Sequence, residues 1–328
     1  MNGCVRKNAN SIYYNSLVKL LDSVEVSNAC FLVTGASGLI GSCLIDLLML
    51  ANENGANNTI FALGRSRDKL VSRFPQYVNN PKFVMLEQNI CQPISYARYP
   101  AETKTTNFLG SYNVLEYSRE HEKCKILIMS TFEVYGNTGN DEYIEADAGI
   151  IDFNELRSCY PESKRAVETL SQCYASEYNI NVRVARLSSV YGPFMSKDDS
   201  KAHAQFLRNA VNGNDIVLKS KGLSRRSYTY VLDAVSALFC VLFRGKIAES
   251  YNISNENSVA SIAEISSVCA KLSGTKVIYD LPSELEAKGF SKPQNCILDN
   301  HKVRDLGWLA RYSVIDGFSE CIKILKAI

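Results

Sequence analysis

The chain has 328 residues, of which 46% are hydrophobic and 21% charged, with a formal net charge of +2. That length buries a large core in two domains or one elaborated one, and the even charge balance offers no polycationic block to nucleic acid or an anionic membrane. Eleven cysteines occur singly, with no C-x-x-C pair, and His121, His203 and His301 form no metal-ligand spacing with them, so no metal site is expected.

The N-terminus is polar from Met1 to Asn10, and Ile12 to Leu21 is interrupted by Asn15, Ser16 and Lys19, so no signal peptide is expected. The apolar stretch near Leu44 to Ala51 is too short to span a bilayer and contains Asp46. Together with the odd cysteine count, this predicts a soluble protein in a reducing cytoplasm. Cys30, Cys43 and Cys240 lie in apolar stretches, where cysteine acts as a small hydrophobe.

Cys30–Val33 reads as a buried strand and Ser37–Met49 as the helix after it, joined by Thr34-Gly35-Ala36-Ser37-Gly38-Leu39-Ile40-Gly41. In that context the loop can cradle a dinucleotide pyrophosphate. Gly35 permits the tight turn, Gly38 lets phosphate approach the backbone, and Gly41 allows close helix–strand packing. The helix N-terminus, at Ser37, Leu39 and Ile40, presents N–H groups to the anion. A second strand, Thr59–Leu63, ends in Gly64-Arg65-Ser66-Arg67. An NAD site usually has a carboxylate here for the ribose hydroxyls; Arg65 instead suits the 2′-phosphate of NADP, or is a solvated loop arginine.

Lys82–Leu86 is a third strand. Between Leu86 and the helix expected over Thr106–Glu120 there is no apolar run of strand length, although the alternation calls for one. A strand at Ile126–Met129, a helix over Ser163–Glu177 and a strand at Asn181–Leu187 follow. Alternating elements of this length predict an α/β protein with a doubly wound parallel sheet. After Tyr191-Gly192-Pro193 the pattern turns irregular. The expected division is a dinucleotide-binding domain over 1–190 and a smaller, mainly substrate-binding region over 191–328 that returns some segments to the first.

Tyr160 and Lys164 are four residues apart, which puts both on one helix face. A free tyrosine titrates near pH ~10, and a neighbouring ammonium favours its phenolate, a base beside a nicotinamide ring. Upstream stands Met129-Ser130-Thr131-Phe132-Glu133-Val134-Tyr135-Gly136, at a strand end.

With these motifs the chain resembles the extended short-chain dehydrogenase/reductases of the nucleotide-sugar epimerase/dehydratase type. Arg186–Pro193, the Arg226–Asp233 segment, Tyr251-Asn252-Ile253-Ser254 and Leu306-Gly307-Trp308 match further landmarks, so the resemblance covers about residues 28 to 320. It implies a Rossmann-type sheet, NAD or NADP as cofactor, a nucleotide-sugar substrate and a homodimer. By position, Thr131 would bond the sugar oxygen, Tyr160 would be the base, Lys164 its activator and ribose contact, and Glu133 a further catalytic group. Arg226 would contact the substrate diphosphate, to which its fork is suited. Three departures stand out. Phe132 replaces the acid of the dehydratases, Ser189 an asparagine near the diphosphate, and Asn89 an aspartate that contacts adenine. The late arginine of the decarboxylases has no match in Lys292-Pro293-Gln294-Asn295-Cys296.

The resemblance therefore implies hydride transfer at sugar C4, with a 4-epimerase as the leading expectation. An NADPH-dependent ketosugar reductase, a UDP-glucuronate decarboxylase or dehydratase-type enzyme, and a non-catalytic dinucleotide-binding protein are the alternatives.

Overall fold

A computed structural model describes residues 10–24, 26, 28–87, 99–121, 124–281 and 295–327. It begins with a helix that sequence reading did not place, α1 (Asn10–Leu21). There follow β1 (Cys30–Thr34), α2 (Leu39–Glu53), β2 (Thr59–Gly64), a short α3 (Arg67–Arg73) and β3 (Phe83–Glu87). The middle of the chain supplies α4 (Pro100–Arg119), β4 (Lys125–Thr131), β5 (Glu142–Tyr143), α5 (Cys159–Tyr178), β6 (Asn181–Leu187) and β7 (Ser189–Tyr191). Next come α6 (Ala202–Asn212), β8 (Ile216–Leu218), β9 (Arg225–Tyr230), α7 (Val231–Arg244) and β10 (Ser250–Ile253). The chain closes with β11 (Val259–Ser261), α8 (Ile262–Ser273), β12 (Val277–Tyr279), β13 (Ile297–Leu298), α9 (His301–Arg304) and α10 (Val314–Lys326).

The α/β alternation expected from sequence is present, and its principal strands pair in parallel. β1, β2 and β3 form one three-stranded sheet in that order, and β10, β6 and β4 form a second. β10 thus comes from the later part of the chain to pair with β6. A third sheet, β11-β9-β7, carries Arg226 and Ser189 on neighbouring strands.

Among the described residues the principal parallel strands fall into two separate sheets. β1 and β4 are edges of their respective sheets, and among the described residues no strand lies between them. α7 packs beneath both edges. Phe31 of β1 meets Phe239 edge-on with centroids 6.2 Å apart, and Lys125 of β4 sits 5.1 Å over Phe243. The residues that follow Glu87 as far as position 98, Asn89 among them, lie outside the described residues, and the helix after them begins at Pro100 rather than Thr106.

The exposure of β1 corrects one expectation. Cys30–Val33 reads as a buried strand, yet Cys30 is exposed and Leu32 is 41% exposed, β1 having no partner on one side among the described residues. Elsewhere burial follows the apolar pattern. α2 buries Ile45, Leu47, Leu48 and Met49 against the sheet and its neighbouring helices, and Tyr13 of α1 donates to its buried Asp46 at 3.1 Å. Among the described residues no helix is long and apolar enough to cross a membrane.

Candidate active site

The glycine loop closes on itself in a way that leaves room for a ligand. Gly35 has φ 61°, the left-handed region that favours glycine, and its carbonyl accepts the Gly38 N–H at 2.9 Å. A Cβ on Gly41 would lie 2.6 Å from that carbonyl oxygen, so only glycine lets α2 approach this closely. The N-cap Gly38 supplies no side-chain cap, which leaves the first-turn amides at Leu39, Ile40 and Gly41 for another acceptor. Ser37 and Gly38 are exposed, and a Cβ built on Gly35 meets nothing within 4 Å. These residues fit a dinucleotide pyrophosphate. Arg65 stands exposed past the end of β2.

Thr131 and Glu133 flank the turn at the end of β4. Thr131 is buried, and its Oγ1 accepts the Glu133 N–H at 3.3 Å, which leaves the hydroxyl hydrogen available. Glu133 is 17% exposed and accepts from Arg157 at 2.8 Å. Tyr160 lies half-buried in the first turn of α5, with Lys164 one turn on. Lys164 Nζ donates to the carbonyl oxygen of Met129 at 2.9 Å, tying that face of α5 to the strand two residues before Thr131. Beneath this junction lies a buried ion pair, Arg186 of β6 with Glu168 of α5, which also receives the Ser130 hydroxyl.

On the other side stands β9. Arg226 lies 6.0 Å over the Phe132 ring, and Cys296 pairs with it through an isolated bridge. Burial pushes the Cys296 thiol up to about 12, Arg226 pulling it down and Glu133 adding to the rise, so all three share one neighbourhood. Ser189 sits on β7, in register with Tyr228 of β9. Thr131, Glu133, Tyr160, Lys164 and Arg226 are thus gathered around the end of β4, with the glycine loop at the end of β1. Asn89 is not among the described residues.

Residues 31–254 match the model of a family described as the NAD dependent epimerase/dehydratase family. The chain belongs to that family. It is therefore an enzyme, with NAD as its cofactor. It is similar to UDP-glucuronic acid decarboxylase 6 of Arabidopsis thaliana, 32% identical over 260 residues that make up 73% of each chain. Its fold resembles that of UDP-glucose 4-epimerase from Thermotoga maritima, with a TM-score of 0.76, 23% identity and coverage of 90% of this chain and 98% of that one. The dTDP-glucose 4,6-dehydratase of Bacillus anthracis, solved with NAD, gives a TM-score of 0.75 at 21% identity, covering 90% and 96%.

Within this epimerase/dehydratase site, sequence reading missed three side chains. Glu168 follows Lys164 by four residues, a helical spacing that carried the signal. Arg157 and Cys296 gave none, since only folding brings them to Glu133.

Proposed function

We propose that the chain oxidises a UDP-linked hexuronate at C4 and releases its carboxyl group, the activity in the names of its decarboxylase relatives. The observation that supports this best is the gathering of Thr131, Glu133, Tyr160 and Lys164 at the end of β4. The glycine loop of Gly35, Gly38 and Gly41 would hold NAD, which would supply a reversible hydride acceptor for the C4 hydrogen. Tyr160 takes the proton of the 4-hydroxyl, with Lys164 supporting the phenolate and Thr131 donating to the sugar oxygen. A ketone at C4 stands β to the carboxylate, so the electrons of the breaking C5–C6 bond pass to O4 as CO2 leaves. Glu133, fixed by Arg157, handles the proton that C5 then takes up, and Arg226 holds the diphosphate.

The 4-epimerase expected from sequence is the second reading. It needs Thr131, Tyr160 and Lys164 alone, and the uncharged thiol of Cys296, in the stretch where the late arginine of the decarboxylases has no match, favours it. Either enzyme is read as a homodimer through α4 and α5, since Leu109 and Tyr117 of α4 are 50% and 52% exposed.

Incubation with NAD and UDP-glucuronate, followed by proton NMR, separates the readings. A UDP-pentose with release of CO2 supports the decarboxylase, and the C4 epimer of UDP-glucuronate supports the epimerase. Failure to turn over UDP-glucuronate, UDP-glucose or UDP-galactose would sink both.

A further inference from the structure

His203, the second residue of α6, is 5% exposed, and its Nε2 has no hydrogen-bond partner. Arg226 Nε is likewise buried without a partner. A buried polar atom left unpaired is costly, so two in one neighbourhood call for an acceptor that the protein itself does not provide.

Strand β9 brings them together. Arg226 and Tyr228 are two residues apart and share one face of the strand. The His203 ring stands edge-on to Tyr228, with centroids 5.7 Å apart at 83°. Burial, helped by the charges of Lys201 and Arg226 and opposed by that of Asp199, pushes the imidazole down to about 4, so His203 is neutral and carries one N–H. Arg226 in turn borders the turn after β4, lying over the Phe132 ring. The N-cap of α6, Lys201, offers no side-chain cap, and His203 lies in the first turn of this eleven-residue helix, at the positive end of its dipole.

We propose that His203 is a diphosphate ligand, its Nε2–H and the Arg226 Nε–H both donating to the oxyanion of the nucleotide diphosphate at the N-terminus of α6. An oxyanion satisfies both nitrogens at once, and as an anion it also meets the helix dipole. The inference rests on the nucleotide-sugar reading above and adds to it a residue for which sequence reading offered only the absence of metal-ligand spacing.

Calorimetric titration of the full chain with UDP, UMP and uridine tests it. His203→Ala is expected to weaken UDP binding about tenfold while uridine binding stays as in the wild type. His203→Gln, whose amide nitrogen can take the place of Nε2, is expected to restore UDP binding to within about threefold. The ratio of UDP to uridine affinity within each variant corrects for any general loosening of the fold. An unchanged ratio in His203→Ala, whether affinity is kept for all three ligands or lost equally for all, overturns the assignment. Failure of the wild-type protein to bind UDP overturns the nucleotide-sugar reading itself, and this inference with it.

Discussion

Arg186→Met is expected to destabilise the fold by about 3–5 kcal/mol. Arg186 reaches Glu168 through Nε at 3.2 and 3.1 Å and through Nη2 at 2.8 Å, with the two side chains only 14% and 11% exposed. It also donates to Tyr135 Oη at 3.0 Å and to the Glu145 carbonyl at 2.8 Å. Methionine fills much of the volume but leaves a carboxylate out of water with the Ser130 hydroxyl alone, and it strips Tyr135 of a donor. The midpoint of thermal unfolding should fall by roughly 10 °C. The double variant Arg186→Met/Glu168→Leu removes both charges, so its loss should be smaller than the sum of the single losses by about 2 kcal/mol or more. Urea unfolding read by Trp308 suits the measurement, because the only tryptophan is 5% exposed and bonded to Ser236 at 2.8 Å. A loss below about 1 kcal/mol for Arg186→Met, or strict additivity of the two changes, would refute the reasoning.

Two further outcomes follow from the loop and from the core. In Gly41→Ala the new methyl meets the Gly35 carbonyl at 2.6 Å, so the loop must open and NAD affinity should drop at least tenfold, about 1.4 kcal/mol; an unchanged dissociation constant would contradict the cradle. Asp233 of α7 is wholly buried, and burial pushes its carboxyl from 3.8 up to about 6 against the Arg311 and Tyr312 amides that donate to it. The folded state therefore keeps a proton that the unfolded chain gives up between those values. This contribution is complete below pH 4 and falls away as pH rises through 6, by about 3 kcal/mol. Urea titrations of the wild type and Asp233→Asn from pH 4 to 7 should show the wild type losing ground by about that amount, whereas a constant gap would exclude it.

The parts of this protein that were legible in sequence are those whose signal is local. The loop from Gly35 to Gly41, the run from Ser130 to Gly136 and the Tyr160/Lys164 spacing each lie within one strand end or one helical turn. The alternation of short apolar runs carried the α/β class for the same reason. α1 escaped because Asn15, Ser16 and Lys19 interrupt its apolar residues, and its buried face, with Leu17 and Leu20, exists only once α2 and α10 pack on it. Cys30 reads as buried because a strand's neighbours are not written in its own residues, and among the described residues one side of β1 has no partner. His203 and Cys296 reach the site only through β9, on which Tyr228 meets the imidazole and Arg226 pairs with the cysteine.

In the proposed reaction Tyr160 transfers the proton of the sugar 4-hydroxyl. The most direct measurement compares wild type with Tyr160→Phe on UDP-glucuronate, with UDP affinity determined on the same samples. The account predicts a fall in turnover of about 10²–10⁴-fold with UDP binding unchanged. Full turnover in the phenylalanine variant would contradict it.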